Sequence, residues 1–326
     1  MLERGRPVRL LWTMVSVLAI FPGVASRSSA VTLVSRSAGL EVPLKEEGKT
    51  ELETGDLNGD GHLDLVSVGD HGNPGFNSDE HGIMVWLGNG AGGWTVRQTG
   101  DFGYGGCAVG DLDRDGYLDL AWGVHHNYGT GMGSRLISAA RGNGTGSGWT
   151  DWGTGLATGG ESWGMFATAL ADFDADGRLD ILSQSFGGSN GLRVYANHGD
   201  GTWSPAWTLA GGSVGYTAES CDFNADGHAD IVCTRAGANA LLGDGAFGFT
   251  TATGGLPAGT IHCVDAGDTD GDGRDDLVFG LGSLGMRCYR YVGSPGAWTD
   301  ASSGLPVSGT YSMIQTGDIN GDGHLD

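Results

Sequence analysis

One nine-residue pattern, Asp-x-Asp/Asn-x-Asp-Gly-x-x-Asp, occurs six times in this 326-residue chain. The copies are Asp56, Asn58, Asp60, Gly61, Asp64; Asp111, Asp113, Asp115, Gly116, Asp119; Asp172, Asp174, Asp176, Gly177, Asp180; Asp222, Asn224, Asp226, Gly227, Asp230; Asp268, Asp270, Asp272, Gly273, Asp276; and Asp318, Asn320, Asp322, Gly323, Asp326. Carboxylates at alternate positions of a short loop converge on one point, and Gly at position six permits the sharp turn this needs. Hard oxygen donors at that density predict calcium, about one ion per loop and up to six per chain.

Each loop is expected to donate side-chain oxygens from positions one, three, five and nine and a backbone carbonyl from position seven. Position seven is His62, Tyr117, Arg178, His228, Arg274 and His324, an indifference to side chain that suits a carbonyl donor. Position eight is Leu63, Leu118, Leu179, Ala229, Asp275 and Leu325, apolar in all but one copy, and reads as the anchor of the loop to a core. An EF-hand begins the same way but requires a bidentate Glu at position twelve. Here that place is held by Ser67, Trp122, Ser183, Cys233 and Phe279, inside strand-like rather than helical runs.

The charge balance agrees. Twenty-one of the 39 acidic residues are loop Asp at donor positions, and the formal net charge is −22, so the acidity belongs to the loops. Without a basic patch among 17 Lys and Arg, nucleic acid is excluded as a partner class.

Successive loops begin 46 to 61 residues apart, near the period of propeller blades built from four strands. A strand enters the loop (165–171; 312–316) and another leaves it (63–68; 181–183). A third follows (83–87; 192–195), then a Gly-rich hairpin and a fourth strand opening on an aromatic (Trp94, Trp149, Trp203, Trp298). With 64 Gly and no helical period after residue 30, the chain is expected to be all-β.

With these loops and motifs such as Val85-Trp86-Leu87-Gly88-Asn89-Gly90 and Val194-Tyr195-Ala196-Asn197, residues 31–326 resemble the FG-GAP or VCBS-type calcium-binding repeat family. The resemblance implies a β-propeller of four-stranded blades, like the head of integrin α chains, with seven blades when complete. The departures are local: a shortened 238–242 strand in blade four and no Gly-Asn-Gly turn in blade five. Five blades and the start of a sixth are present, so the sequence reads as a fragment cut within its last loop. Residues 31–40 mirror 298–305, as though the chain opened on the outer strand of a blade whose other strands lie at the far end.

Residues 1–30 read as a signal peptide: Arg4, Arg6 and Arg9 precede an apolar run from Leu10 to Phe21, with Ser28-Ser29-Ala30 as a small-residue cleavage site. An uncleaved anchor is the other reading, and no further segment is apolar enough to span a bilayer. The expected location is therefore secreted or at the cell surface. The five cysteines form no framework, and their pairing stays open.

No catalytic constellation emerges. Gly160-Glu161-Ser162-Trp163-Gly164 matches a nucleophile elbow in letters but lacks the strand–turn–helix context. Two loops on the side opposite the metal loops carry His71 and His81, and His125, His126 and Tyr128. Tyr104, Trp163, Tyr216, His262 and Tyr311 fall near the starts of inner strands at the same end. These residues either rim a ligand site at the propeller mouth or pack between blades. The leading expectation is an exported binding or adhesion module for a protein or carbohydrate. The alternative is a propeller domain of, or accessory to, an extracellular polysaccharide-acting enzyme, since this fold is attached to both kinds of protein.

Overall fold

The computed structural model describes residues 40, 52–69, 82–100, 105–123, 132, 135–157, 165–185, 191–210, 215, 217–234, 239–258, 261–293 and 297–326. All regular structure among them is β, in five four-stranded antiparallel sheets that follow one another along the chain. Blade one is β1 (Glu53–Gly55), β2 (Asp64–Val68), β3 (Ile83–Gly88) and β4 (Trp94–Thr99). Blade two is β5 (Cys107–Gly110), β6 (Asp119–Gly123), β7 (Ile137–Gly142) and β8 (Trp149–Asp151). Blade three is β9 (Met165–Ala171), β10 (Asp180–Ser185), β11 (Leu192–Asn197) and β12 (Trp203–Leu209). Blade four is β13 (Ala218–Cys221), β14 (Asp230–Cys233), β15 (Asn239–Gly243) and β16 (Phe249–Thr251). Blade five is β17 (Cys263–Gly267), β18 (Asp276–Gly280), β19 (Met286–Tyr291) and β20 (Trp298–Asp300). Each is a simple meander, neighbours in sequence pairing as neighbours in the sheet, so the expected all-β blade architecture is what forms.

Burial explains the composition of each strand. Second strands are covered on both faces: every residue of β2, β6, β14 and β18 is buried. They therefore read as continuous apolar runs such as Leu65-Val66 and Ile231-Val232. The fourth strand of blade one has one sheltered and one exposed face, and its sequence alternates accordingly.

Two compact units divide the chain, one containing 35–172 and 176–211, the other 173–175 and 212–326. In the first, Val66, Val68, Ile83 and Val85 of blade one close against Cys107, Leu120, Trp122 and Ala140 of blade two. Leu112, Ile137, Ala139 and Leu156 of blade two likewise close against Ile181, Tyr195 and Trp203 of blade three. In the second, Phe223, Val232 and Ala240 of blade four pack against Leu277, Phe279, Tyr289, Tyr291 and Trp298 of blade five. In blades three and five the tryptophan that opens the fourth strand also pins the preceding blade: Trp203 Nε1 donates to Trp152 O and Trp298 Nε1 to Ala252 O, both at 2.6 Å. Leu40 packs on Leu65, Met84 and Trp86 of blade one, in the manner of Leu156 on blade three.

Three sequence expectations need revision. No ladder forms over 312–316; only Gly317 and Asp326 pair, with N···O distances of 3.4 and 2.8 Å. In the other blades the strand pairing with this segment begins at the ninth loop position, here the final residue. The blade-four strand is shortened as expected, with five residues against six in the other third strands, but runs Asn239–Gly243, one residue later, and pairs on both sides. The exits from loops one and three start at Asp64 and Asp180, the ninth position itself. The expected leader (residues 1–30), the mirrored segment 31–39 and the candidates His71, His81, Tyr104, His125, His126, Tyr128, Trp163 and Tyr216 lie outside the described residues.

Candidate metal centre

The first five loops connect the first strand of a blade to its second, and all six close around their first and fifth Asp in one way. In every loop the first Asp accepts the N–H of position five on one oxygen at 3.0–3.2 Å and that of position six on the other at 2.7–3.0 Å. In loops five and six it also accepts the N–H of position four, at 2.7 and 2.6 Å. The fifth-position Asp accepts from the N–H of position seven at 2.8–3.0 Å. The third-position side chain accepts from position five in loops one, two, four, five and six. This chain of bonds wraps the backbone around the acidic side chains. It requires φ between 82° and 90° at the position-six glycines, a left-handed conformation where a side chain costs about 1–2 kcal/mol. Position four is left-handed as well: Gly59, Gly271 and Gly321, but also Arg114 (65°), Ala175 (60°) and Ala225 (59°).

The ninth-position Asp works from below. Asp64, Asp119, Asp180, Asp230 and Asp276 are all buried. One carboxylate oxygen accepts the N–H of position two: Leu57 at 2.9 Å, Leu112 at 2.7 Å and Phe223 at 3.1 Å. The other accepts the N–H at the end of the third strand: Gly88, Gly142 and Gly243 at 2.8 Å and Asn197 at 2.9 Å. Burial pushes the Asp119 and Asp230 carboxyls up to about 7 despite these donors. It raises Asp64 and Asp276 too. A charge so placed is costly alone and would be offset by a cation.

The residues at positions two, seven and eight have roles that linear reading assigns only in part. Position two is buried: Leu57, Leu112, Phe173 and Phe223 are at most 2 % exposed. Leu57, Leu112 and Phe223 lie at the seam with the following sheet, Leu57 in the cluster shared by blades one and two, Leu112 in that shared by blades two and three, and Phe223 against Tyr291 and Trp298 of blade five. Position eight faces the preceding blade and, in loops two and three, anchors the loop to a core as expected, Leu118 and Leu179 packing on those clusters. Leu118 Cδ1 lies so near Gly55 that a Cβ there would sit 2.5 Å away, Leu179 crowds Gly110 equally, and Leu325 lies 2.6 Å from a Cβ at Gly267. Leu63 in the first loop is 49 % exposed. Asp275, the polar exception, replaces apolar contact by hydrogen bonds to the neighbouring loop: its carboxylate accepts Asp222 N–H at 2.8 Å, and its own N–H reaches Asp222 O at 3.2 Å. Arg114 links loops two and three, donating from Nε and Nη2 to Gly177 O.

Position-seven side chains fold over the hairpin that joins the third and fourth strands. A Cβ at Gly90, Gly144 or Gly245 would collide with His62, Tyr117 or His228, at 2.5, 2.3 and 2.3 Å. The His62 and His228 rings thus serve as covers over glycine, leaving an all-oxygen donor set. In three loops, donor oxygens lie within 4.8 Å of one another: Asp111, Asp113 and Asp115; Asp172, Asp174 and Asp180; and Asp268, Asp270 and Asp272. Two oxygens bound to one calcium at about 2.3–2.6 Å cannot be farther apart than about 5 Å. The residues present therefore fit a calcium ion, and nothing in the donor set favours a softer metal.

Of the ten ring candidates only His262 and Tyr311 are described. Both are half-exposed and stand close together in the fold: His262 N–H donates to Gly280 O at 2.9 Å, and Cys263 Sγ lies 3.4 Å from Tyr311 O. No disulfide forms among Cys107, Cys221, Cys233, Cys263 and Cys288, all buried. Burial pushes the Cys288 thiol up to about 11, which makes it a packing residue. No helix among the described residues is long and apolar enough to cross a membrane.

A family model described as "FG-GAP-like repeat" matches residues 56–122, 172–233 and 222–279, and one described as "FG-GAP repeat" matches 102–149. None of the curated proteins matches the chain. Among solved structures, the V. cholerae biofilm matrix protein Bap1 is similar at 18 % identity and a TM-score of 0.42; the match covers 80 % of this chain and 40 % of that one. The family models match the first five acidic loops together with strands that flank them. The chain belongs to the FG-GAP repeat family.

Proposed function

We propose that this chain is an exported, calcium-stabilised binding module, using its repeat scaffold to present a surface to an extracellular protein or glycan. The observation that carries the metal part is that all six loops share the bonds of their first and fifth Asp, down to which carboxylate oxygen accepts the N–H of positions five, six and seven. Six independent acidic turns would not share that pattern. In each loop the side chains at positions one, three, five and nine and the carbonyl of position seven would hold the ion. That donor set runs through His62, Tyr117, Arg178, His228, Arg274 and His324 for the carbonyls. The ion supplies charge neutralisation and a rigid link between the first and second strands; millimolar calcium outside cells suits even weak loops. Export is supported by the basic, apolar and small-residue succession of residues 1–30.

Binding rather than catalysis is the reading favoured by the structural use of His62 and His228 as covers over glycine; the Ser–His contact among the described residues, His198 Nε2 to Ser204 Oγ at 2.9 Å, is exposed. The test is a glycan array and a cell-surface protein panel, each probed with calcium-loaded chain and with chain in chelator. The proposal expects calcium-dependent retention on at least one ligand without product formation. Turnover of a bound glycan would replace the binding reading by the enzymatic one.

A further inference from the structure

The six loops are of two kinds. Loops one, four and six have Asn at position three and three carboxylates; loops two, three and five have Asp there and four. Every four-carboxylate loop has an arginine on one of its donor carboxylates. Arg141 Nη1 meets Asp113 Oδ2 at 2.9 Å, Arg290 Nη1 meets Asp270 Oδ2 at 2.9 Å, and Arg178 Nη2 pairs with Asp176. Among the described residues no three-carboxylate loop has such a pair; in loops one and four the Asn amide donates to the fifth-position Asp instead, at 3.1 and 2.7 Å.

The arginines also sit where an exchange is visible. Arg141 is the penultimate residue of β7 and Arg290 of β19. The same place holds Leu87 in β3 and Leu242 in β15, the blades whose loops have Asn. Blade three has Ala196 there, and its arginine comes from position seven of the loop. Within one chain, therefore, Asp at position three goes with an arginine and Asn goes without one. Counting only the donor side chains and the arginine paired with them, both combinations leave three net negative charges.

We propose that Arg141, Arg178 and Arg290 are built-in counter-ions that bring the four-carboxylate loops to the charge of the Asn loops, restraining them when empty and levelling their attraction for a divalent cation. Asp113 is only 6 % exposed at its side chain, so its charge is poorly screened and its partner matters more than in an ordinary surface pair. Arg141 is held over the Trp152 ring, 5.3 Å from its centroid, which fixes the guanidinium beside the loop. Arg290 also approaches the buried ninth-position carboxylate, its Nε standing 3.6 Å from Asp276 Oδ2. Guanidinium stays charged at every accessible pH, so the compensation does not titrate away. The levelling of affinity rests on the calcium reading of the loops; the restraint of the empty loop does not.

The experiment rewrites blade two as blade one in the full chain, with Arg141→Leu, Asp113→Asn and the double variant, followed by thermal midpoints in chelator and in calcium. In chelator, R141L should lower the midpoint by about 2 °C or more, and its cost should fall by at least about half in the D113N background, because the uncompensated charge is gone. In calcium, R141L should bind the ion in that loop on the order of tenfold more tightly, since a positive charge next to the donors has been removed. R290L and D270N give the same cycle in blade five should R141L fail to fold. Additive effects in chelator at both blades would overturn the counter-ion role. A wild-type midpoint indifferent to calcium would overturn the calcium reading and its affinity part, while the cycle in chelator would still decide the restraint.

Discussion

At position four of the loops, three non-glycine residues hold a left-handed backbone that three glycines hold elsewhere. Ala175 and Ala225 are exposed there and gain nothing from their methyl groups that could offset the strain. Ala225→Gly should therefore be neutral or stabilising, by up to about 1 kcal/mol, the reverse of the usual order for this substitution; chemical denaturation in saturating calcium measures it. A loss of stability as large as that would mean the loop does not keep this conformation. The donor positions are legible from spacing alone, because alternation is a property of the sequence. Which seam each apolar position enters is not, because positions two and eight are both mostly apolar. Only the packing shows that Leu118 and Leu179 lie towards the preceding blade while Phe223 meets Tyr291 and Trp298 of the following one. The arginine partners escape for a related reason, since Arg141 stands 28 residues from the Asp113 it compensates.

Within a blade, the ninth-position carboxylate joins three elements: the loop, the second strand that it begins, and the end of the third strand. Asp119→Ala would leave the N–H groups of Leu112 and Gly142 without their acceptor inside the protein. Each orphaned buried donor costs about 1–3 kcal/mol, so a total of roughly 2–6 kcal/mol is expected in chelator as well as in calcium. Hydrogen exchange should show the effect first at Leu112, Gly142 and the β6–β7 ladder. Unchanged protection there would remove the tie from the account. The strands themselves are well forecast by sequence, for a physical reason. A second strand covered on both faces must be apolar throughout, whereas a fourth strand with one exposed face must alternate. The segment 312–316 carries a strand-like sequence yet makes no ladder, because a strand pattern describes a face to be buried and does not supply the partner that buries it.

At the scale of the whole molecule, each compact unit is built of repeated joints: apolar seams between its sheets, tryptophan pins in blades three and five, position-eight contacts, and acidic loops that, on the proposed reading, would reach full stability only with a cation. Fold class and loop chemistry follow from the repeat, whereas the ligand does not, since the rings proposed to meet it fall almost wholly outside the described residues. If the loops are calcium sites, a ligand bound by the folded state and not by the unfolded one must stabilise it by mass action. The most direct test is a calcium titration of chelator-stripped full chain by calorimetry, paired with thermal midpoints across the same series. The account predicts saturable binding approaching six ions per chain, one for each loop, with the midpoint rising as the loops fill. A stripped, folded chain that takes up no calcium at millimolar concentration and melts at the same temperature with and without it would contradict the central claim.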